Sequence, residues 1–147
     1  MKTIACWLLM LTLLLPISEQ VEAEANKTHQ ELEELMADFV RGWREGDADV
    51  LSRVFALDEG RIHWISGSGE EQQLKSMTFR AAVERGKTNP EYGREGWKIL
   101  SMDVVEDELA MVKLEIQFGK YLSVDFMICQ RIQGQWRVVS NTFVTTK

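Results

Sequence analysis

The chain has 147 residues, 45% of them apolar and 27% charged, a balance that fits one globular domain and excludes a disordered one. Its formal net charge of −6 excludes nucleic acid as a partner, because phosphate contacts need clustered Lys and Arg. The length also excludes a two-domain cofactor enzyme, and no cofactor is expected. Met1-Lys2, an apolar run from Ile4 to Ile17 and a polar stretch ending Ala23-Glu24-Ala25 follow the order of an export signal. The run is short of the ~20 residues that span a bilayer, so residues 1–25 are expected to be removed. The product, residues 26–147, is then one soluble domain, periplasmic or secreted, without stable membrane insertion. An uncleaved anchor is the alternative. Losing Lys2, Glu19, Glu22 and Glu24 leaves 16 basic and 20 acidic residues, a net charge of −4. Cys6 leaves with the signal. Cys129 alone can form neither an internal disulfide nor a cysteine zinc site, and no metal is expected. It reads as a small buried apolar residue, with a nucleophile as the alternative. Asn26-Lys27-Thr28 fits a glycosylation acceptor.

Thr28-His29-Gln30-Glu31 reads as a capping box that opens a helix. Leu32, Leu35, Met36, Phe39, Val40 and Trp43 form its apolar stripe, and Gly46 closes it. Asp47 is the expected cap of a short second helix carrying Val50, Leu51, Val54 and Phe55. Ile62–Ile65 predicts a strand, Ser66–Gly69 a turn and residues 71–75 a returning strand. Ser76 is expected to cap a third helix with Phe79, Ala82 and Val83 inward, ended by Gly86. Residues 87–96 predict a loop. The period then changes to two, and strands are expected at 97–105, 109–118, 121–132 and 136–145. The fold class is α+β, three helices followed by an antiparallel meander.

Three segments carry a resemblance. Phe39-Val40-Arg41-Gly42-Trp43-Arg44-Glu45-Gly46-Asp47 has the aromatic-x-x-Gly…Gly-Asp pattern of a helix junction, and Ser76-Met77-Thr78-Phe79 matches the start of a third helix. Asp125 to Phe143 contains Gly134-Gln135-Trp136-Arg137-Val138-Val139-Ser140-Asn141, the core of a closing hairpin. In this order they resemble the nuclear-transport-factor-2-like superfamily, closest to its small lumazine-binding family, over about residues 28–145. The resemblance implies three helices packed on a strongly curved antiparallel sheet, a cone-shaped cavity between them, and a homodimer. Family members often carry His-Pro-Asp after the second helix. This chain reads Phe55-Ala56-Leu57-Asp58, so no role for that histidine is carried over.

Enzymes of this fold move protons with an inward Asp, Glu or His. Strand parity tests for one. The apolar sets Val112, Leu114, Ile116, Phe118; Leu122, Val124, Phe126, Ile128, Ile132; and Trp136, Val138, Val144 are expected on the concave face. They include no acid or base. His63 and Asp125 have the opposite parity, and a one-residue bulge inverts that assignment. Gln130, Ser140 and Thr142 share the inward parity and are expected as oriented polar contacts of an apolar pocket. Trp43, Trp64, Trp136, Phe39, Phe118 and Phe126 are expected as its walls. The outer face, with Tyr121, Met127, Cys129, Val139 and Phe143 among charges, is expected to pair two copies. The leading expectation is a non-catalytic domain binding a small apolar or aromatic ligand. The alternatives are an isomerase or dehydratase using His63 and Asp125, and an interaction module with a filled core.

Overall fold

The computed structural model describes residues 15–86 and 94–146, with their side chains except those of residues 15–20, 94, 95 and 118. The core of the expected export signal and most of the expected loop at 87–96 lie outside the described residues. Helix α1 spans Leu15–Glu45 and so starts well before Thr28. Residues 18–27 include Glu, Gln and Ala, good helix formers, so nothing stops the helix ahead of the expected capping box. The Thr28 hydroxyl instead donates to the Asp107 carboxylate, and Thr28 is buried. The expected apolar stripe is the packed face: Leu32, Met36, Phe39 and Val40 are buried.

The junction motif has a steric reason. A Cβ at Gly42 would lie 2.7 Å from the Leu51 side chain, so only glycine lets α1 approach helix α2, Ala48–Val54. Gly46 takes φ +66°, and Asp47 then caps α2 by accepting from the Asp49 and Val50 amides, each at 3.0 Å. Past α2, the Ala56 amide donates to the Val138 carbonyl at 3.1 Å and ties the chain to the sheet. Strands β1 (Arg61–Ser66) and β2 (Gln73–Thr78) pair antiparallel. Helix α3 spans Phe79–Gly86. Its cap is Thr78, whose Oγ1 accepts from the Ala81 amide at 3.3 Å, because β2 continues through Ser76, the expected cap.

Strands β3 (Arg94–Val105), β4 (Leu109–Phe118), β5 (Tyr121–Ile132) and β6 (Gln135–Thr146) form the expected meander. They join the first hairpin in one curved open sheet of order β2-β1-β6-β5-β4-β3. Every pairing is antiparallel except β1 with β6, which is parallel. Register shifts between Ile99 and Ser101 and between Ile128 and Cys129 mark bulges, which bend a sheet. The three helices pack on one face, α1 against β3 and β6, α2 against β6, and α3 against β1 and β2. At their junction Phe55 stacks on Phe79 at 4.0 Å between centroids and meets Phe39 and Trp43 at 5.8 and 6.2 Å.

Pairing across the sheet corrects the expected inner face. Val112, Leu114 and Ile116 face the helices as expected, but their partners on β5 are Met127, Asp125 and Ser123. The inner row of β5 is therefore Ser123, Asp125, Met127 and Cys129, all buried. Leu122, Val124, Phe126, Ile128 and Gln130 point to the other face. On β6, Trp136 and Val138 are inward, and the bulge then turns Asn141 and Phe143 inward in place of Ser140 and Thr142.

One polar cluster joins three segments at the far end of the core. Arg131 donates to the Asp107 carbonyl (3.0 Å) and carboxylate (2.7 Å), the Gly134 carbonyl (3.3 Å) and the Glu31 carboxylate (2.8 Å). Its guanidinium also lies 4.8 Å from the Trp136 ring centroid. Glu106 and Asp107 both hold positive φ, 50° and 53°, a turn that favours glycine and asparagine. The bonds from Thr28 and Arg131 hold Asp107 in it. The Thr28 hydroxyl, then Arg131, keep the Asp107 carboxyl below the usual aspartate range, and the Arg80 guanidinium does the same for Asp58 at the surface. A carboxyl with a depressed folded pKa stabilises the fold above its unfolded pKa, near 4, and loses that effect as pH falls through the folded value. Urea midpoints are therefore expected to fall below pH ~4, and Asp107→Asn is expected to flatten that fall.

Candidate functional site

Among the described residues, the inner face carries one buried polar cluster. The Ser123 hydroxyl donates to Asp125 Oδ1 at 2.5 Å, and Asn141 Nδ2 donates to Asp125 Oδ2 at 2.9 Å. Ser123 and Asp125 are each 4% exposed and Asn141 is 1% exposed. β5 and β6 position the three groups. Ser123 and Asp125 sit two residues apart on β5, hence on one face, and the β6 bulge brings Asn141 to the same face. The cluster's neighbours across the sheet are Ile116 and Leu114 on β4, opposite Ser123 and Asp125, Thr145 on β6, also opposite Ser123, and Met127 and Ile62 on either side of Asn141. Asn141 Oδ1 is buried and has no hydrogen-bond partner. Toward the open end of the sheet the same face carries Trp97, 39% exposed, with Trp64 and Phe143 half-buried.

This cluster can orient a ligand through fixed acceptors in a water-poor setting, where each hydrogen bond counts for more than in water. Asp125 is also the one titratable side chain of the expected acid–base pair that faces inward. His63 pairs across the sheet with Ser76 and Thr142 and lies on the other face, so the structure does not bring His63 and Asp125 together. Among the described residues no three His, Cys, Asp or Glu side chains gather as metal ligands.

The expected pocket residues separate into four places. Phe126, Gln130, Ser140 and Thr142 occupy the outer face, Phe126 being 44% exposed. Trp43 packs between α1 and the end of α3, where a Cβ at Gly86 would come within 2.5 Å of its ring. Trp136 is inward but at the opposite end from Asn141, under Arg131, with a buried Nε1 that has no partner. Trp64 shares the inner face with Ile62. The Phe118 side chain lies outside the described residues. Ser123 and Asn141 were missed, although the two-residue turn at Gly119-Lys120 already places Ser123 and Asp125 opposite Ile116 and Leu114.

Burial pushes the Cys129 thiol up to about 12, so it is inert at neutral pH. Iodoacetamide at pH 8 is expected to label it roughly a thousandfold slower than a free thiol, and at the free rate once urea unfolds the chain. Rapid labelling of the folded protein, read by mass spectrometry, would contradict this packing.

The sequence profile of a family described as "Putative lumazine-binding" matches residues 27–144. Solved structures share the fold. An NTF-2-like protein of unknown function from Silicibacter pomeroyi is 20% identical with TM-score 0.67, over 83% of this chain and 98% of that one. Another, from Shewanella baltica, is 16% identical with TM-score 0.69, over 82% and 95%. A third, from Methylobacillus flagellatus, is 14% identical with TM-score 0.66, over 80% and 91%. No curated protein matches the chain.

Proposed function

Because the chain belongs to the family described as "Putative lumazine-binding", we propose that it is an exported, non-catalytic homodimeric domain. Its ligand is a small, largely aromatic molecule held between the helices and the inner face of the sheet. The observation that carries this reading is the buried Ser123–Asp125–Asn141 cluster on a largely apolar face. Burying a polar atom without a partner costs about 1–3 kcal/mol, and a bound group that completes Asn141 Oδ1 offsets it. Trp64, Trp97 and Phe143 supply aromatic surface beside the cluster. The family's name makes lumazine the first compound to try.

Export is supported by the signal-like order of residues 1–25 and by where packing begins: residues 21–27 are exposed and Thr28 is buried. Among the described residues no helix is long and apolar enough to cross a membrane. Pairing of two copies is supported by the outer face. There Met111, Phe126 and Val144 are 41%, 44% and 61% exposed, beside Lys113 and Glu115, whose opposite charges can pair across a two-fold axis. Phe126→Glu is expected to halve the mass measured by light scattering with an unchanged circular dichroism spectrum. An unchanged mass would move the interface elsewhere.

Native mass spectrometry of the protein from residue 26 on, purified from its own compartment, tests the binding reading. The expected result is a dimer with a small surplus mass that disappears on denaturation. A bare mass that lumazine and other small aromatic compounds leave unchanged would overturn it. The inward carboxylate of Asp125 favours a second reading, an enzyme that uses it as a general base with a partner other than His63.

A further inference from the structure

Cross-strand register shows what surrounds His63 on the outer face. Ser76, His63, Thr142, Phe126, Lys113 and Ser101 pair in one line across all six strands. His63 on β1 and Lys113 on β4 are both half-buried, and each stands one strand out from the central pair β6 and β5. The line on one side carries Arg61 on β1 and Asp103 on β3. The line on the other side carries Ile65 on β1, with Glu115 on β4 joined to Lys98 on β3 at 2.7 Å. Strands β2, β6 and β5 bring no charged side chain to these three lines. Further along β6, Arg137 donates to the Ser52 carbonyl and to Gln135. Glu59 precedes β1, and Glu70 and Glu71 form the tip of the first hairpin. Among the described residues the neighbours of His63 on this face are therefore Arg61 and two hydroxyls. The carboxylates of the sheet begin at β4, three strand spacings or about 14 Å away.

Resting on the two-copy reading above, we infer that acid releases the dimer and that His63 is the group that takes up the proton. Aligned packing of two outer faces allows two directions for the two-fold axis. Along the strands, between β5 and β6, it sets His63 against the partner's Lys113. Across the strands, it sets β1 against β1, and His63 meets the partner's Arg61, His63 or Ile65. Neither arrangement supplies a carboxylate. A neutral imidazole fits both contacts, but a charged one faces a second cation or loses its water. Histidine is the side chain that makes this change between pH 5 and 8. Protons then bind the separated copies better than the dimer, so falling pH favours separation. The fold is not the target in that range, because the stabilising effect of Asp58 and Asp107 is lost only below pH ~4. The second histidine, His29, is exposed on α1, away from this face.

Sedimentation velocity of the mature protein at pH 7.5 and 5.5, at one ionic strength, tests the inference. The expected result is a dimer whose dissociation constant rises by about tenfold or more at the lower pH, with an unchanged circular dichroism spectrum. His63→Gln is expected to stay dimeric at both pH values. His63→Arg, which fixes the charge, is expected to dimerise weakly at both. A dimer equally tight at the two pH values would overturn the switch and leave the dimer standing. So would a pH dependence that survives in His63→Gln, or a His63→Arg dimer as tight as the parent at pH 7.5. A monomer at both pH values would overturn the dimer reading and this inference with it.

Discussion

Phe55→Ala is expected to lower the unfolding free energy by about 3–5 kcal/mol, the largest single effect in the molecule. Phe55 is 2% exposed and is the hub of the aromatic junction, stacked on Phe79 and edge-on to Phe39. Each ring contact adds to the loss beyond its buried area, and the surrounding elements cannot all collapse into the gap, because three helices meet there. The residue also leads into Ala56, whose amide anchors the chain to Val138 on the sheet. A domain of this size has about 5–15 kcal/mol in total, so the variant should unfold at much lower urea. A loss below 1 kcal/mol in urea titration would mean that the helices are held on the sheet by other contacts.

Arg131→Ala is expected to cost about 2–4 kcal/mol, a large effect for a side chain that is partly at the surface. The reason is what it leaves behind. Glu31 and Asp107 lose their shared cation, the strained Asp107 turn loses two of its restraints, and the Trp136 ring loses its cover. Lysine carries the charge without the planar fork, so Arg131→Lys is expected to recover less than half of the loss. Combining Arg131→Ala with Asp107→Ala should cost clearly less than the sum of the two, since both break the same bonds. Full additivity in urea titrations would show that the two residues act separately.

Helix faces, hairpin order and the closing strands were readable from the sequence because each rests on short-range rules. The apolar stripe of α1, the Asp47 cap and the two-residue turns are of this kind. The inner face was harder for two physical reasons. β5 is apolar on both faces, and Leu122, Val124, Phe126 and Ile128 outnumber Met127 and Cys129. Counting apolar residues therefore selects the outer face, which is itself sticky. The turn at Gly119-Lys120 carried the right answer, because it fixes Phe118 opposite Tyr121 and every pairing after it. The second obstacle, the bulge between β5 and β6, has no sequence mark: Val138-Val139-Ser140 contains neither glycine nor proline. Without it Ser140 and Thr142 point inward, and with it Asn141 does. Thr28 misled for a related reason. Its spacing to Glu31 matches a capping box, but its hydroxyl serves a turn 79 residues away, a contact no local rule contains.

The most direct measurement is a crystal structure of the mature protein purified from its own compartment without unfolding. The expected result is a bound molecule, larger than water, with a donor within hydrogen-bond reach of Asn141 Oδ1 and its flat body against Trp64, Trp97 or Phe143. An inner face closed by the protein's own side chains, with Asn141 Oδ1 bonded to one of them, would contradict it.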